Sequence, residues 1–181
     1  MDNKKRIALT IDDLPYVASH VPANTEDGIE IIDMLLGHLQ QQDVKVTGFV
    51  IGKVADENEK NDLLEKWHSA GHILANHTYS HPRLSAISFG DFEQEVIRNE
   101  KLLAPFVANC AEKYFRFPFL DYGSTTEQGS RALGFLYKRS YTVVPVTLDS
   151  KDYMFNTYYT QARLNNEAQA MQNNGRNRTI Y

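Results

Sequence analysis

The chain has 181 residues, 42% of them hydrophobic, and a formal net charge of −4. That length supports one domain with a real core, and no stretch reaches the apolar length that spans a bilayer. The acidic balance excludes a nucleic-acid binder that works through a broad basic surface. Cys110 is the only cysteine, which excludes an internal disulfide and a thiolate-built metal site, so any metal must be held by histidines and carboxylates.

Strand and helix patterns then alternate along the chain. Lys4, Lys5 and Arg6 read as a solvated strand flank. No apolar segment follows them, so the sequence as written carries no signal peptide and reads as cytoplasmic unless its start has been trimmed. Residues 6–12 (RIALTID) are β-rich and end at an acidic pair. Residues 28–42 carry Ile31, Leu35 and Leu39 at helical spacing, and 46–52 (VTGFVIG after Lys45) form a buried-strand run closed by glycine. Residues 59–70 predict a second helix with Gly71 as its C′ residue, and 72–77 (HILANH) a third strand. A helix is expected over 92–110, kinked or broken at Pro105. A strand is expected over 113–119 (KYFRFPF), a helix over 126–137, a fifth strand over 140–148 and a last helix over 157–172. This alternation predicts an α/β fold with a parallel sheet, open or closed as a barrel, in a single domain over 1–181.

The polar residues of interest recur at the ends of these strands. Asp12 and Asp13 follow the first, His77 the third with His81 four residues on, Arg116 lies in the fourth, and Asp149 and Asp152 follow the fifth. In parallel α/β folds the carboxyl ends of the strands converge on one face, where sites are built. One carboxylate and two imidazoles make a three-ligand set with open positions, the plan of a hydrolytic metal centre. A second carboxylate beside the ligand can take a proton from water, and Arg116 can pair with that base and orient it. Taken singly, each piece has a plainer meaning: an Asp-Asp pair is usually a turn or a helix cap, and a His-x-x-x-His pair is often a surface pair. His38 and His68 read as surface or boundary residues, His72 as structural, His20 as a spare polar contact in a loop, and Cys110 as a buried small residue.

Four stretches occur in order: LTIDDLP (Leu9 to Pro15), NHTYSHP (Asn76 to Pro82), RFPF (Arg116 to Phe119) and LDSKDY (Leu148 to Tyr153). Together they resemble the polysaccharide deacetylases, carbohydrate esterase family four. The resemblance implies a distorted, incomplete (β/α) barrel with parallel strands and a divalent metal, most often Zn2+. It implies Asp13, His77 and His81 as ligands and Asp12 as the base acting on metal-bound water. It also implies the backbone N–H of Phe119 as an oxyanion donor, Arg116 as the residue that tunes Asp12, and Asp152 as the one that orients Arg116. Tyr153 would form part of the substrate wall. Phe117, with Tyr79, Phe119 and Tyr122, can stack on sugar rings or belong to the core. Thr78 and Ser80 would orient the histidine loop. The implied partner is an acetylated poly- or oligosaccharide; nothing speaks to oligomeric state.

Three departures from the family pattern stand out. Leu14 replaces a common glycine, LDYG follows Phe117-Pro118-Phe119 where a glycine is usual, and no histidine occurs after His81. The family's late histidine serves as general acid, a role worth about 10²–10⁴-fold in rate. The expectation is a C-terminally truncated member that binds metal, hydrolyses poorly and is less stable than a complete relative. Two other functions fit the same residues: hydrolysis of small amides or imides at the same metal, and a non-catalytic carbohydrate- or metal-binding module.

Overall fold

The computed structural model describes residues 7–15, 25–56, 61–108 and 112–164. His20, Cys110 and the chain end from residue 165 lie outside them. Five strands, β1 (Thr10–Leu14), β2 (Thr47–Val50), β3 (Ile73–Asn76), β4 (Lys113–Phe115) and β5 (Tyr141–Val143), pair in parallel in the order in which they occur. A doubly wound sheet would reverse its strand order partway. Here every strand pairs with its successor, as consecutive staves of a (β/α) barrel do. The barrel is incomplete, since among the described residues β5 does not close onto β1. It is distorted by a bulge in β1.

Between the strands run α1 (Thr25–Gln41), α2 (Gly52–Asp56), α3 (Asn61–Ser69), α4 (Phe89–Val107) and α5 (Thr126–Lys138). Local chemistry fixes their ends. Ser88 caps α4 by accepting the Asp91 N–H at 3.1 Å, and Thr125 caps α5 by accepting the Gln128 N–H at 3.1 Å. Past α3 the chain turns at Gly71, whose φ of 81° lies in the left-handed region. The Gly71 N–H reaches His68 O and the His72 N–H reaches Trp67 O, the paired bonds of a Schellman ending. Pro105 does not break α4, which continues to Val107; in the helix's last turns proline removes only one bond of the ladder. The short α2 was not anticipated: Gly52, expected to close a strand, begins it.

Two apolar clusters hold helices to the sheet. One gathers Ile32, Val50, Leu64, Trp67 and Leu74, and the other Phe92, Phe115, Phe117, Leu136 and Tyr141. In the second, Phe92 stacks on Phe117 at 5.8 Å between ring centroids, and Phe115 meets Phe117 edge-on at 5.0 Å. His72 is buried beside Trp67 and accepts the Val46 N–H on Nδ1, so it is structural. Burial, then the nearby Lys45 charge, lowers its pKa.

Gly48 lies in β2 against Leu14 and the Trp67 indole, where an added Cβ would sit 3.0 Å from the ring carbons. Gly48→Ala should therefore overpack this cluster and cost about 1–3 kcal/mol, read as a lower urea midpoint at unchanged slope.

Glu100 on α4 binds Lys113 at 2.7 Å and the Arg139 guanidinium, joining three elements. Burial resists its ionisation, but the bonds and charges of Lys113 and Arg139 outweigh it and lower its pKa below the ordinary 4.5. A depressed carboxylate stabilises the fold above its unfolded pKa and loses that contribution as pH falls through the folded value. Denaturation measured across acid pH should show stability declining below about pH 5, with a shallower decline in Glu100→Gln.

The chain divides into two compact units, Met1–Pro145 and Val146–Tyr181. The second contains α6 (Asp152–Leu164), which starts five residues before the expected helix. No helix among the described residues is long and apolar enough to cross a membrane.

Candidate metal centre

β1 runs through the acidic pair to Leu14 instead of ending at Asp12. Ile11 pairs with Gly48 and Leu14 with Val50, so three steps on β1 match two on β2. The extra residue is a bulge, a device that re-aims side chains. Asp13 takes φ 64° there, a conformation uncommon outside glycine. Its Oδ1 lies 3.5 Å from His77 Nε2 and 3.2 Å from His81 Nε2. The candidate ligand atoms of Asp13, His77 and His81 all fall within 4.8 Å of one another.

Each imidazole is oriented differently. His77 follows β3 and is 2% exposed. Its Nδ1 lies 2.8 Å from the Arg116 carbonyl. The carbonyl can only accept, so Nδ1 carries the proton and Nε2 keeps a free lone pair toward the centre. The ring also meets Phe49, fully buried beneath it, at 6.0 Å. His81 stands on the following loop at φ 62°. Its N–H donates to Thr78 Oγ1 at 3.2 Å, and the Thr78 N–H donates to Asn76 Oδ1 at 2.9 Å. Glu95 of α4 accepts both the N–H and the hydroxyl of Ser80, at 2.6 and 2.8 Å.

The electrostatics suit a cation. Burial works against ionisation of Asp13, but the approach of His77 and the charges of His81 and His77 outweigh it and hold the carboxyl below its usual range. Burial, with the neighbouring His77, lowers the His81 pKa against the opposing pull of Asp13 and Asp12. Asp13 Oδ1 is buried without a normal hydrogen bond, and such an atom ordinarily has a partner. A divalent ion would supply one, and an oxygen with two imidazole nitrogens is a donor set such an ion accepts. The residues fit.

Arg116 is 3% exposed and holds the second aspartate. Its Nη1 donates to Asp12 Oδ1 and, at 2.9 Å, to Thr10 Oγ1; its Nε donates to Val144 O at 3.1 Å, and its guanidinium lies 4.1 Å from the Phe49 ring centroid. Phe119 sits at φ 56° in a 3-10 turn (Pro118–Leu120), and its ring lies 4.5 Å from that of His81. Phe117, expected among the aromatics that could stack on sugar, is instead 1% exposed in the aromatic core; its neighbours Phe92 and Phe115 leave it no free face. Tyr79 is buried as well, with its hydroxyl on Asp56. Asp152 and Tyr153 occupy the first turn of α6 in the second unit, where Asp152 accepts the Tyr153 N–H at 3.1 Å and Tyr153 is exposed.

Sequence reasoning missed the support beneath the loop. Asn76 donates through Nδ2 to Val96 O and to the Tyr141 hydroxyl, both at 3.0 Å, and its Oδ1 accepts from Thr78 and from Asn99 Nδ2. Asn99, fully buried, donates also to Val50 O at 2.8 Å. A signal existed: Asn99 interrupts the apolar stripe Phe92, Val96, Leu103 at helical spacing, and a buried polar residue needs partners. Asn76→Leu removes the bonds but not the volume. It should cost about 3 kcal/mol, since unpaired buried groups cost roughly 1–3 kcal/mol each. The melting temperature should fall by about 6–12 °C.

A carboxylate and two imidazoles gathered where the strands of a (β/α) barrel end define a candidate mononuclear metal site. The family model for polysaccharide deacetylases matches residues 1–137, and the chain belongs to that family. It is 28% identical to a peptidoglycan-N-acetylglucosamine deacetylase of Bacillus cereus over 151 residues, 83% of this chain and 47% of that one. It is also 28% identical to a chitin deacetylase of Colletotrichum lindemuthianum over 171 residues, 91% and 61% of the two chains. The structure of the chitin deacetylase from that fungus matches 89% of this chain and 66% of its own with a TM-score of 0.62. The chain thus spans about half the length of these curated relatives.

Proposed function

We propose that this chain carries the metal-binding and proton-accepting residues of a hydrolase that removes N- or O-acetyl groups from a glycan. The observation that carries this reading is the unpartnered Asp13 oxygen facing two imidazole nitrogens at 3.5 and 3.2 Å. Asp13, His77 and His81 would hold the ion, which we take to be Zn2+ on the strength of its oxygen and nitrogen donors. When bound, such an ion lowers the pKa of water and polarises a carbonyl.

The chain's own groups do the rest. Asp12, adjacent to the ligand Asp13 and fixed by Arg116, accepts the proton of the attacking water. Arg116 spans Asp12 and the His77 ring, through its guanidinium and its backbone carbonyl respectively, so the base and one ligand share a single anchor. The Phe119 backbone N–H is the proposed donor to the developing oxyanion. The roles of Asp152 toward Arg116 and of Tyr153 toward the sugar are proposed from the LDSKDY stretch alone.

The test is acetate release from N-acetylated oligosaccharide by the metal-free chain, the zinc-loaded chain and the chelator-treated chain. Release should require the ion and return on its re-addition. Release that is equal with and without chelator would refute the reading.

A further inference from the structure

The residue before each candidate imidazole is held by the same helix. Asn76 precedes His77, and its side-chain oxygen accepts from Asn99 Nδ2 of α4 at 3.0 Å. Ser80 precedes His81, and Glu95 of α4 accepts its N–H on Oε2 at 2.6 Å and its hydroxyl on Oε1 at 2.8 Å. Glu95 and Asn99 are four residues apart on the helix, as Asn76 and Ser80 are in the loop. Positions four apart share one helix face and lie about 6 Å from each other along the axis. One face of α4 therefore grips both ends of the segment that sets the two rings apart.

That segment needs holding. Thr78 and His81 take φ of 66° and 62°, a region that a non-glycine residue, and a β-branched threonine above all, occupies only where its surroundings over-determine it. Inside the loop the His81 N–H bonds Thr78 Oγ1 and the Thr78 N–H bonds Asn76 Oδ1. From α2 the Gly52 and Lys53 N–H groups donate to the Thr78 and Tyr79 carbonyls at 3.2 and 2.7 Å. Glu95 adds the anchor next to His81 and uses both carboxylate oxygens for it. Hydrogen bonds to an ionised acceptor are the stronger class. Phe92, Val96 and Leu103 of α4 are buried in the apolar clusters, so the helix is fixed by its own packing and not by the loop it holds.

We propose that Glu95 is a positioning residue for the metal centre. Through Ser80 it fixes the backbone that carries His81, while Asn99 does the same for His77 through Asn76. One turn of α4 thus sets the spacing of the two imidazoles before any ion arrives, so less freedom is lost on binding. The affinity of the site then depends on a carboxylate outside the ligand set. This rests on the metal-site reading and extends it to a residue that lies in none of the four stretches singled out in the sequence.

The test is the zinc affinity of the chain, measured by calorimetry. The visible spectrum of the Co2+-loaded chain is a second readout, because its bands report the number and arrangement of ligands. Glu95→Ala should weaken zinc binding about 10-fold, the lower end of the range for a group that orients a ligand from outside the coordination shell, and should change the Co2+ bands. Glu95→Gln keeps an oxygen for the Ser80 N–H and gains an amide that can donate to the Ser80 hydroxyl, so it should recover most of the affinity and the unmodified spectrum. Ser80→Ala keeps the N–H bond and should lose less than Glu95→Ala, and the double variant should lose no more than Glu95→Ala alone. Ser80 is exposed, so Ser80→Ala reads the same contact even where Glu95→Ala lowers the melting temperature. Unchanged zinc affinity in either single variant, or losses that multiply in the double one, overturns the proposal and leaves the metal site standing. Failure of the unmodified chain to bind zinc overturns both.

Discussion

Asp13→Asn should abolish tight binding of a divalent ion. Asp13 is the one anionic member of the candidate set, its Oδ1 is buried, and both imidazoles face that atom. An amide oxygen of the same shape keeps the packing but removes the charge that draws the cation. The loss of zinc affinity should exceed the roughly 10–100-fold that follows from changing a group outside the coordination shell, and His77→Ala should match it. Thermal melting reads the same event: a ligand at a hundred times its dissociation constant stabilises the folded state by about 2.7 kcal/mol, so zinc should raise the melting temperature of the unmodified chain and leave both variants unmoved. The pH dependence has a definite sign. Asp13 is held below the usual carboxylate range, and burial keeps His81 below the ordinary 6.5. Protons therefore compete with the ion at His81 only at lower pH than they would at a free imidazole, and zinc affinity should fall on acidification. A zinc-induced shift that persists in Asp13→Asn would remove Asp13 from the site.

Much of this centre could be read in the chain because its chemistry sits in short runs. His77 and His81 are four residues apart, and the acidic pair is contiguous, so residue type and spacing raised them as candidates, while the family resemblance implied their roles. What could not be read was the geometry that makes the pair useful. A regular strand would send Asp12 and Asp13 to opposite faces. The bulge that breaks this alternation arises from β1 pairing with β2, and nothing within LTIDDLP announces it. Strand limits slipped for the same reason. β4 stops at Phe115 and β5 at Val143, because pairing partners decide where a strand ends, whereas β propensity continues into RFPF and VVPVTL. Phe117 could be read either way because aromatic character is shared by cores and binding walls; its burial and packing against Phe92 and Phe115 put it in the core. The Asn76 and Asn99 network was hidden because it joins β3 to α4 across more than twenty residues, and only the odd polar residue in an apolar stripe hinted at it.

Asp12→Asn should separate the two acids by function. If Asp13 holds the ion and Asp12 takes the proton, removing the second should leave zinc affinity within a few-fold while acetate release falls by about 10²–10⁴-fold, the range for a lost general base. The substitution is conservative in the right way. Arg116 Nη1 can still donate to the remaining side-chain oxygen, and its bonds to Thr10 Oγ1 and Val144 O are untouched. The His77 anchor on the Arg116 carbonyl should persist as well. Any loss of rate then reflects basicity rather than a displaced scaffold, and because only transition-state stabilisation is removed, kcat should fall with little change in KM. Arg116→Lys provides the contrast. It keeps a charge near Asp12 but cannot reach Asp12, Thr10 and Val144 from one planar group, so it should lower both rate and zinc affinity by disturbing base and ligand together. A fall in zinc affinity in Asp12→Asn as deep as that in Asp13→Asn would make Asp12 a ligand, and the proton would then need another acceptor.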